Sequence, residues 1–155
     1  MKVFLSHAIA DKDLISALTK RCSKNGLQLL VAEHSIGVNK TISEKIELMI
    51  RDSEIALFLL TTNGDESKFV QQEIGYVQSI KKPALYIVQK GKQVTGFAYG
   101  RDYIELDPEN PDEAIKKALN RLLLHWKKLQ EIEIQERKNA GLFIAALVAF
   151  ALIAE

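Results

Sequence analysis

Five short apolar runs constrain this fold more than any other feature of the chain: Val3 to Ser6, Leu27 to Ala32, Ile55 to Thr61, Ala84 to Val88 and Tyr103 to Leu106. Each has strand length, and the middle runs are apolar throughout rather than alternating. A strand that is apolar on both sides must be covered on both faces, a condition met by a parallel sheet between two layers of helices. Helical patterns fill the intervals. Asp11 to Lys24 carries Leu14, Ile15, Leu18 and Cys22 on one stripe, with Asp11 as N-cap and Asn25-Gly26 as a stop. Thr41-Ile42-Ser43-Glu44 has capping-box spacing and opens a second helix that turns Ile42, Ile46, Met49 and Ile50 inward. A third runs from about Ser67 to Ile80, with Phe69, Val70, Ile74 and Val77 as its apolar stripe, and closes at Lys81-Lys82-Pro83.

Between Gln89 and Arg101 the positions Gly91, Gly96 and Gly100 break any long element, which predicts a loop with a short helical turn. Asn110-Pro111-Asp112-Glu113 starts a final helix with Ile115, Leu119, Leu122, Trp126 and Leu129 on one stripe, whose register Glu133 interrupts. The order of elements implies right-handed crossovers and an α/β, doubly wound, five-stranded parallel sheet. Ligands of such sheets sit outside the carboxyl ends of the strands. Here those loops are Ser6 to Asp11, Glu33 to Lys40, Thr61 to Lys68 and Gln89 to Arg101.

The composition removes several function classes. Lys and Arg number 21 against 20 Asp and Glu, a net charge of +1, so no strong field is present to gather nucleic acid. Cys22 is the only cysteine, which excludes an intramolecular disulfide and fits a reducing, cytoplasmic compartment. His7 and Asp11 follow the amino terminus too soon for a secretory signal. No phosphate loop, GxGxxG after the first strand, HExxH or GxSxG occurs, and His7, His34 and His125 are scattered, so no metal or cofactor is expected.

Glu73 stands out among the remaining residues. Phe69, Glu73 and Val77 are spaced by four, so this carboxylate shares a helix face with apolar groups. A partly desolvated Glu beside an aromatic ring has a raised pKa and can act on a glycosidic bond, stabilising an oxocarbenium-like centre or binding ribose hydroxyls. The plainer reading is a surface Glu paired with Lys81 or Lys82.

The last residues pose a separate question. From Ala140 to Ala154 there is no polar side chain. As a helix, the 14 residues from Gly141 cover roughly 21 Å, against a hydrocarbon core of about 30 Å. That is short for a span. Arg137 and Lys138 lie just before it, as in an anchor on the cytoplasmic face of the cell membrane, whereas Gly141, Ala145, Ala146 and Ala149 would permit close packing in a homo-oligomer. Membrane association is the favoured expectation.

Several separated pieces of the chain resemble the Toll/interleukin-1 receptor (TIR) domain, and most of all its bacterial and archaeal members. They are Val3-Phe4-Leu5-Ser6-His7 with Asp11, Ile36-Gly37, Ser53 to Thr61, Ser67-Lys68-Phe69-Val70-Gln71-Gln72-Glu73-Ile74-Gly75, and Lys82-Pro83. The resemblance covers residues 1 to about 108 and implies the flavodoxin-like fold of that family. A helix over 109–139 and an apolar tail helix over 140–155 would follow. In the family the segment like Ser67 to Glu73 often carries Trp where this chain has Phe69, and its Glu cleaves NAD between nicotinamide and ribose. The resemblance therefore makes Glu73 the catalytic residue of an NAD glycohydrolase or cyclase, with NAD+ as substrate rather than cofactor.

The same resemblance makes Glu33 to Lys40 the BB loop, which covers the NAD site and mediates assembly, and brings in Glu33 and Gly37 as substrate contacts. Gly37 otherwise supplies a positive φ in a turn. Ser6 and His7 would either touch ribose or adenine or cap the first helix. Phe69 is either a stacking surface or core. Tyr76 is near Glu73 by helical spacing, its role open. The implied function is an NADase activated by self-association in prokaryotic immunity or signalling. The alternatives are a non-enzymatic scaffold that binds other TIR domains, and a nucleoside-processing enzyme on a related fold.

Overall fold

The computed structural model describes residues 1–7, 11–32, 44–62 and 68–153, with side chains through 140 and at 142. The order is β1 (Lys2–Ser6), α1 (Lys12–Lys24), β2 (Gln28–Val31), α2 (Glu44–Asp52), β3 (Ile55–Leu60) and α3 (Lys68–Ser79). Then come β4 (Ala84–Gln89), a 3-10 turn (Gly96–Ala98), β5 (Tyr103–Leu106) and α4 (Pro111–Ile153). All five strands are parallel in the order β2-β1-β3-β4-β5, so the sheet is doubly wound about β1, as the apolar runs require. Burial follows strand position. The central β3 is buried at all six residues, whereas the edge strand β5 buries only Ile104 and Leu106.

The period of two along each strand sorts the core into two halves. Phe4, Ala56, Phe58, Leu60, Tyr86 and Val88 form one cluster with Ile46 and Ile50 of α2 and Val70, Ile74 and Val77 of α3. Within it Phe58 packs edge-on to Phe4 and stacks on Tyr86, ring centroids 6.4 and 5.3 Å apart. The alternate residues Val3, Leu5, Leu57, Leu59, Leu85 and Ile87 are buried toward the other face. That face is covered by α1 through Leu18 and Cys22 and by the first turns of α4 through Ala114, Ile115 and Ala118.

One expected detail changes. Asp11 sits at the N-cap position of α1 but makes no side-chain cap bond; its Oδ2 accepts from Thr61 Oγ1 at 2.7 Å instead. A hydroxyl brought up by β3 thus satisfies the carboxylate that sequence assigns to the helix end. The Thr41 to Ser43 part of the capping box lies outside the described residues.

The chain divides into two compact units, Met1–Leu119 and Asn120–Glu155. In the second, every residue from 131 to 140 is exposed. It is held locally by i,i+4 ion pairs such as Arg137–Glu133 at 2.6 Å. Helical structure runs without a break to Ile153, through the junction at 139–140 where a separate tail helix was expected. No helix among the described residues is long and apolar enough to cross a membrane, consistent with the roughly 21 Å reach of the 14 apolar residues.

Candidate active site at the carboxyl ends of the strands

α3 buries Val70, Glu73, Ile74 and Val77, the i, i+3, i+4, i+7 stripe of a helix lying on a sheet. Glu73 occupies one of those four core positions and is 0% exposed. The spacing by four predicts apolar company for this carboxylate, and the structure gives it more than expected. The surface reading with Lys81 or Lys82 does not hold, since Lys82 Nζ donates to the backbone oxygens of Ser53 and Arg51. Burial among apolar side chains penalises the charged form and raises the Glu73 pKa from 4.5 to about 7, with the Ser6 hydroxyl working in the opposite direction.

Ser6 is the last residue of β1 and is 0% exposed. Its parity with Phe4 turns it to the α3 side of the sheet, where the strand end meets Glu73. His7 follows it and is also buried. These residues sit at the carboxyl edge of the sheet, where fold logic places a ligand. Phe69 is half-buried one turn before Glu73 on α3.

Tyr76 is placed elsewhere. Helix α3 runs back toward the amino edge of the sheet, and the Tyr76 hydroxyl accepts a 2.7 Å hydrogen bond from Arg51 Nε at the end of α2. Helical proximity to Glu73 along the chain therefore does not bring the phenol to the strand-end crevice. Glu33 and Gly37 lie outside the described residues.

Two further features escape the sequence reading. The first is a clamp on the outer side of α3. Gln71 Oε1 accepts from Phe97 N at 3.0 Å, Gln78 Nε2 donates to Phe97 O at 2.6 Å, and the Phe97 ring lies where a Cβ on Gly75 would meet it at 3.2 Å. The glycine was visible in sequence; what it makes room for was not. The second is a cleft of about 350 Å³ on the opposite face, lined by Asp11, Thr61, Gln89, Leu106, Pro108 and Ile115 among others. Only the pairing of Asp11 with Thr61 across 50 residues reveals it, and no local pattern encodes that pairing. Among the described residues no three His, Cys, Asp or Glu side chains gather as metal ligands.

Comparison with known proteins fits this geometry. A solved TIR domain of the Toll-related receptor TRR-2 from Hydra magnipapillata matches with 15% identity and a TM-score of 0.59, covering 77% of this chain and 94% of that one. A prokaryotic SEFIR domain matches with 15% identity and a TM-score of 0.56, covering 77% and 90%. The TIR domains of the activated Roq1 resistosome, which directly recognises the pathogen effector XopQ, match at 16% identity and a TM-score of 0.49; this chain spans 60% of that one and is itself covered over 70%. The first two likenesses establish the fold. No protein of curated function matches by sequence. The family model for the TIR domain matches residues 3–123, from the first strand into the last helix, and the chain belongs to the TIR domain family.

Proposed function

We propose that the protein is a TIR-domain NAD+ glycohydrolase or cyclase in which Glu73 acts on the bond between nicotinamide and ribose, and in which self-association brings the site into use. The observation that carries this reading is a carboxyl in a core position of α3, at the carboxyl edge of the sheet, with a pKa near neutrality. The chemistry suits such a group. Nicotinamide is bound in NAD+ as a pyridinium cation, so it leaves with the bonding electron pair as a neutral molecule and needs no proton. Positive charge then develops on C1′ and the ring oxygen of the ribose. A carboxylate in a poorly solvated setting stabilises that charge far better than it would in water. Water attacking C1′ gives ADP-ribose and a proton; a ring nitrogen of the adenine attacking the same carbon gives a cyclic isomer.

Glu73 has no exposed surface in the single chain, so substrate reaches it only after a change at the strand ends. Assembly of neighbouring domains, aided by the apolar residues after Asn139 held against each other or against a cytoplasmic membrane face, is the step we assign to that change. The same burial supports the second reading, a scaffold that binds other TIR domains without turnover. The two separate on one experiment. Protein at high concentration or on liposomes is incubated with NAD+ and nicotinamide is followed for wild type and Glu73→Ala. Release by wild type that falls by at least about 100-fold in the variant supports the enzyme. No release in any assembled state leaves the scaffold.

A further inference from the structure

At the amino edge of the sheet, away from Glu73, a polar cleft of about 290 Å³ opens between the end of α3 and the segments that lead into β4 and β5. Gln78, Lys81 and Lys82 line it from the helix side, Tyr86 from the sheet, and Arg101 and Asp102 from the turn before β5. Three cations thus face one acid. Local structure fixes them there. α3 ends with Lys82 N donating to Val77 O and Lys81 N to Gln78 O, both at 3.0 Å, and with Lys81 left-handed at φ 54. Glycine is the usual residue at such a helix stop, and lysine sets a long cationic side chain against the cleft instead. On the far side Arg101 N closes a turn on Ala98 O at 3.2 Å.

The donors of this cleft are left over once the chain's own needs are met. Lys82 Nζ donates to Ser53 O and Arg51 O, so one of its three N–H bonds remains. The acids that act on Lys82, Asp52 and Glu54, are both engaged by Lys2, through its Nζ and its backbone N, each at 2.6 Å. Among the described residues Lys81 and Arg101 take part in no ion pair. Tyr86 is only 4% exposed and its ring stacks on Phe58, yet no described group hydrogen-bonds its hydroxyl. A nearly buried phenol in a cleft wall calls for a partner from the cleft. A lysine that merely complemented the last carbonyls of α3 would account for Lys81 but not for the convergence of Arg101 and Tyr86 on the same space.

We propose that this cleft binds a small hydroxylated phosphomonoester, its phosphoryl group held by Lys81, Lys82 and Arg101 with the Tyr86 hydroxyl donating to it, and a hydroxyl of its body donating to Asp102. The guanidinium fork matches two phosphoryl oxygens, and the ammonium groups act as point charges beside it. The cleft has room for roughly ten waters at about 30 Å³ each, more than a phosphoryl group alone displaces. Apart from Ala84 and the Tyr86 ring its walls are polar, which suits a hydroxylated body rather than an apolar one.

The test is a titration of the full chain followed by NMR of its backbone amides, with glucose 6-phosphate as probe. The amides of Lys81, Lys82, Arg101 and Asp102 are expected to move and to saturate by about 10 mM, as a Kd of about 1 mM requires, while glucose moves none of them. Lys81→Gln combined with Arg101→Gln weakens binding at least about tenfold, and Lys20→Gln, which removes a charge from α1, leaves it unchanged. Tyr86→Phe keeps the ring and is expected to weaken binding about threefold to tenfold with no change in thermal unfolding. Vesicles carrying phosphatidic acid, a phosphomonoester without free hydroxyls, do not displace the probe. Amides of the cleft that stay still overturn the proposal. So does a double variant that binds like wild type, the sign of diffuse attraction to surface charge. Inorganic phosphate that binds as tightly as the ester, or displacement by the vesicles, overturns the hydroxylated ligand. None of these outcomes depends on turnover of NAD+, because the cleft and Glu73 lie at opposite edges of the sheet.

Discussion

The two faces of the central sheet carry a buried carboxylate each, and they accommodate it in different ways. On the face covered by α1, Asp11 lies at the rim: Thr61 donates to it at 2.7 Å and it borders an open cleft. On the face covered by α3, Glu73 occupies a core position of a helix among Val70, Ile74 and Val77. Parity along the strands decides toward which acid's face each hydroxyl turns. Thr61 continues the odd-numbered residues of β3 toward α1, and Ser6 continues the even-numbered residues of β1 toward α3. One acid is part of the frame, and the other is kept at the edge of ionisation where a ligand of this fold would bind.

If the two faces are equal as cores, Leu18→Ala on α1 and Ile74→Ala on α3 cost the same, about 3 kcal/mol each in urea unfolding, because both side chains are fully buried. A much smaller cost at Ile74 would mean that the face carrying Glu73 is loosely packed. The next largest effect separates the faces. The Glu73 pKa is raised on folding from 4.5 to about 7, so this group's contribution is fully present below pH 4.5 and is lost as pH rises through 7. The loss by pH 9 is of the order of 3 kcal/mol. Glu73→Gln removes it, so the variant is about as stable as wild type at pH 5 and more stable by about 2 to 3 kcal/mol at pH 9, as denaturant midpoints across that range will show.

On the rim side the change is smaller. Thr61→Val strips a donor from a buried carboxylate and costs about 1 to 2 kcal/mol in unfolding. Nicotinamide release in that variant stays at the wild-type level if the faces are independent. The smallest effect is at Gly75. Alanine there meets the Phe97 ring at 3.2 Å, but that ring is about half exposed and can yield by a few tenths of an ångström. The helix gains from losing a glycine, so Gly75→Ala stays within about 0.5 kcal/mol of wild type by thermal unfolding.

Most of the frame was legible because hydrophobic period and length act locally. The run Ile55 to Thr61 overshoots β3 by one residue, and Pro111 opens α4 where the capping signals place it. Glu73 was legible for the same reason, as a charge inside an apolar period. Its depth was not, since a spacing by four does not distinguish the flank of a stripe from its centre. Long-range geometry was also hidden. Tyr76 looks close to Glu73 along the helix, yet its hydroxyl is taken by Arg51 from a different element. Asp11 carries the signature of a helix cap, and a threonine from β3 claims it. After Asn139 the composition turns apolar while the helical pattern continues, and α4 extends to Ile153.

The most direct test of the central claim is the pH profile of nicotinamide release by wild type and Glu73→Gln, assembled at high concentration, between pH 5 and 9. The ionised carboxylate is the acting form, so wild-type release is expected to rise about tenfold per unit below a midpoint near pH 7 and to level off above it, while the variant stays near background throughout. A wild-type rate that does not change with pH, or a variant that keeps the wild-type profile, would contradict the assignment of Glu73 as the group that acts on NAD+.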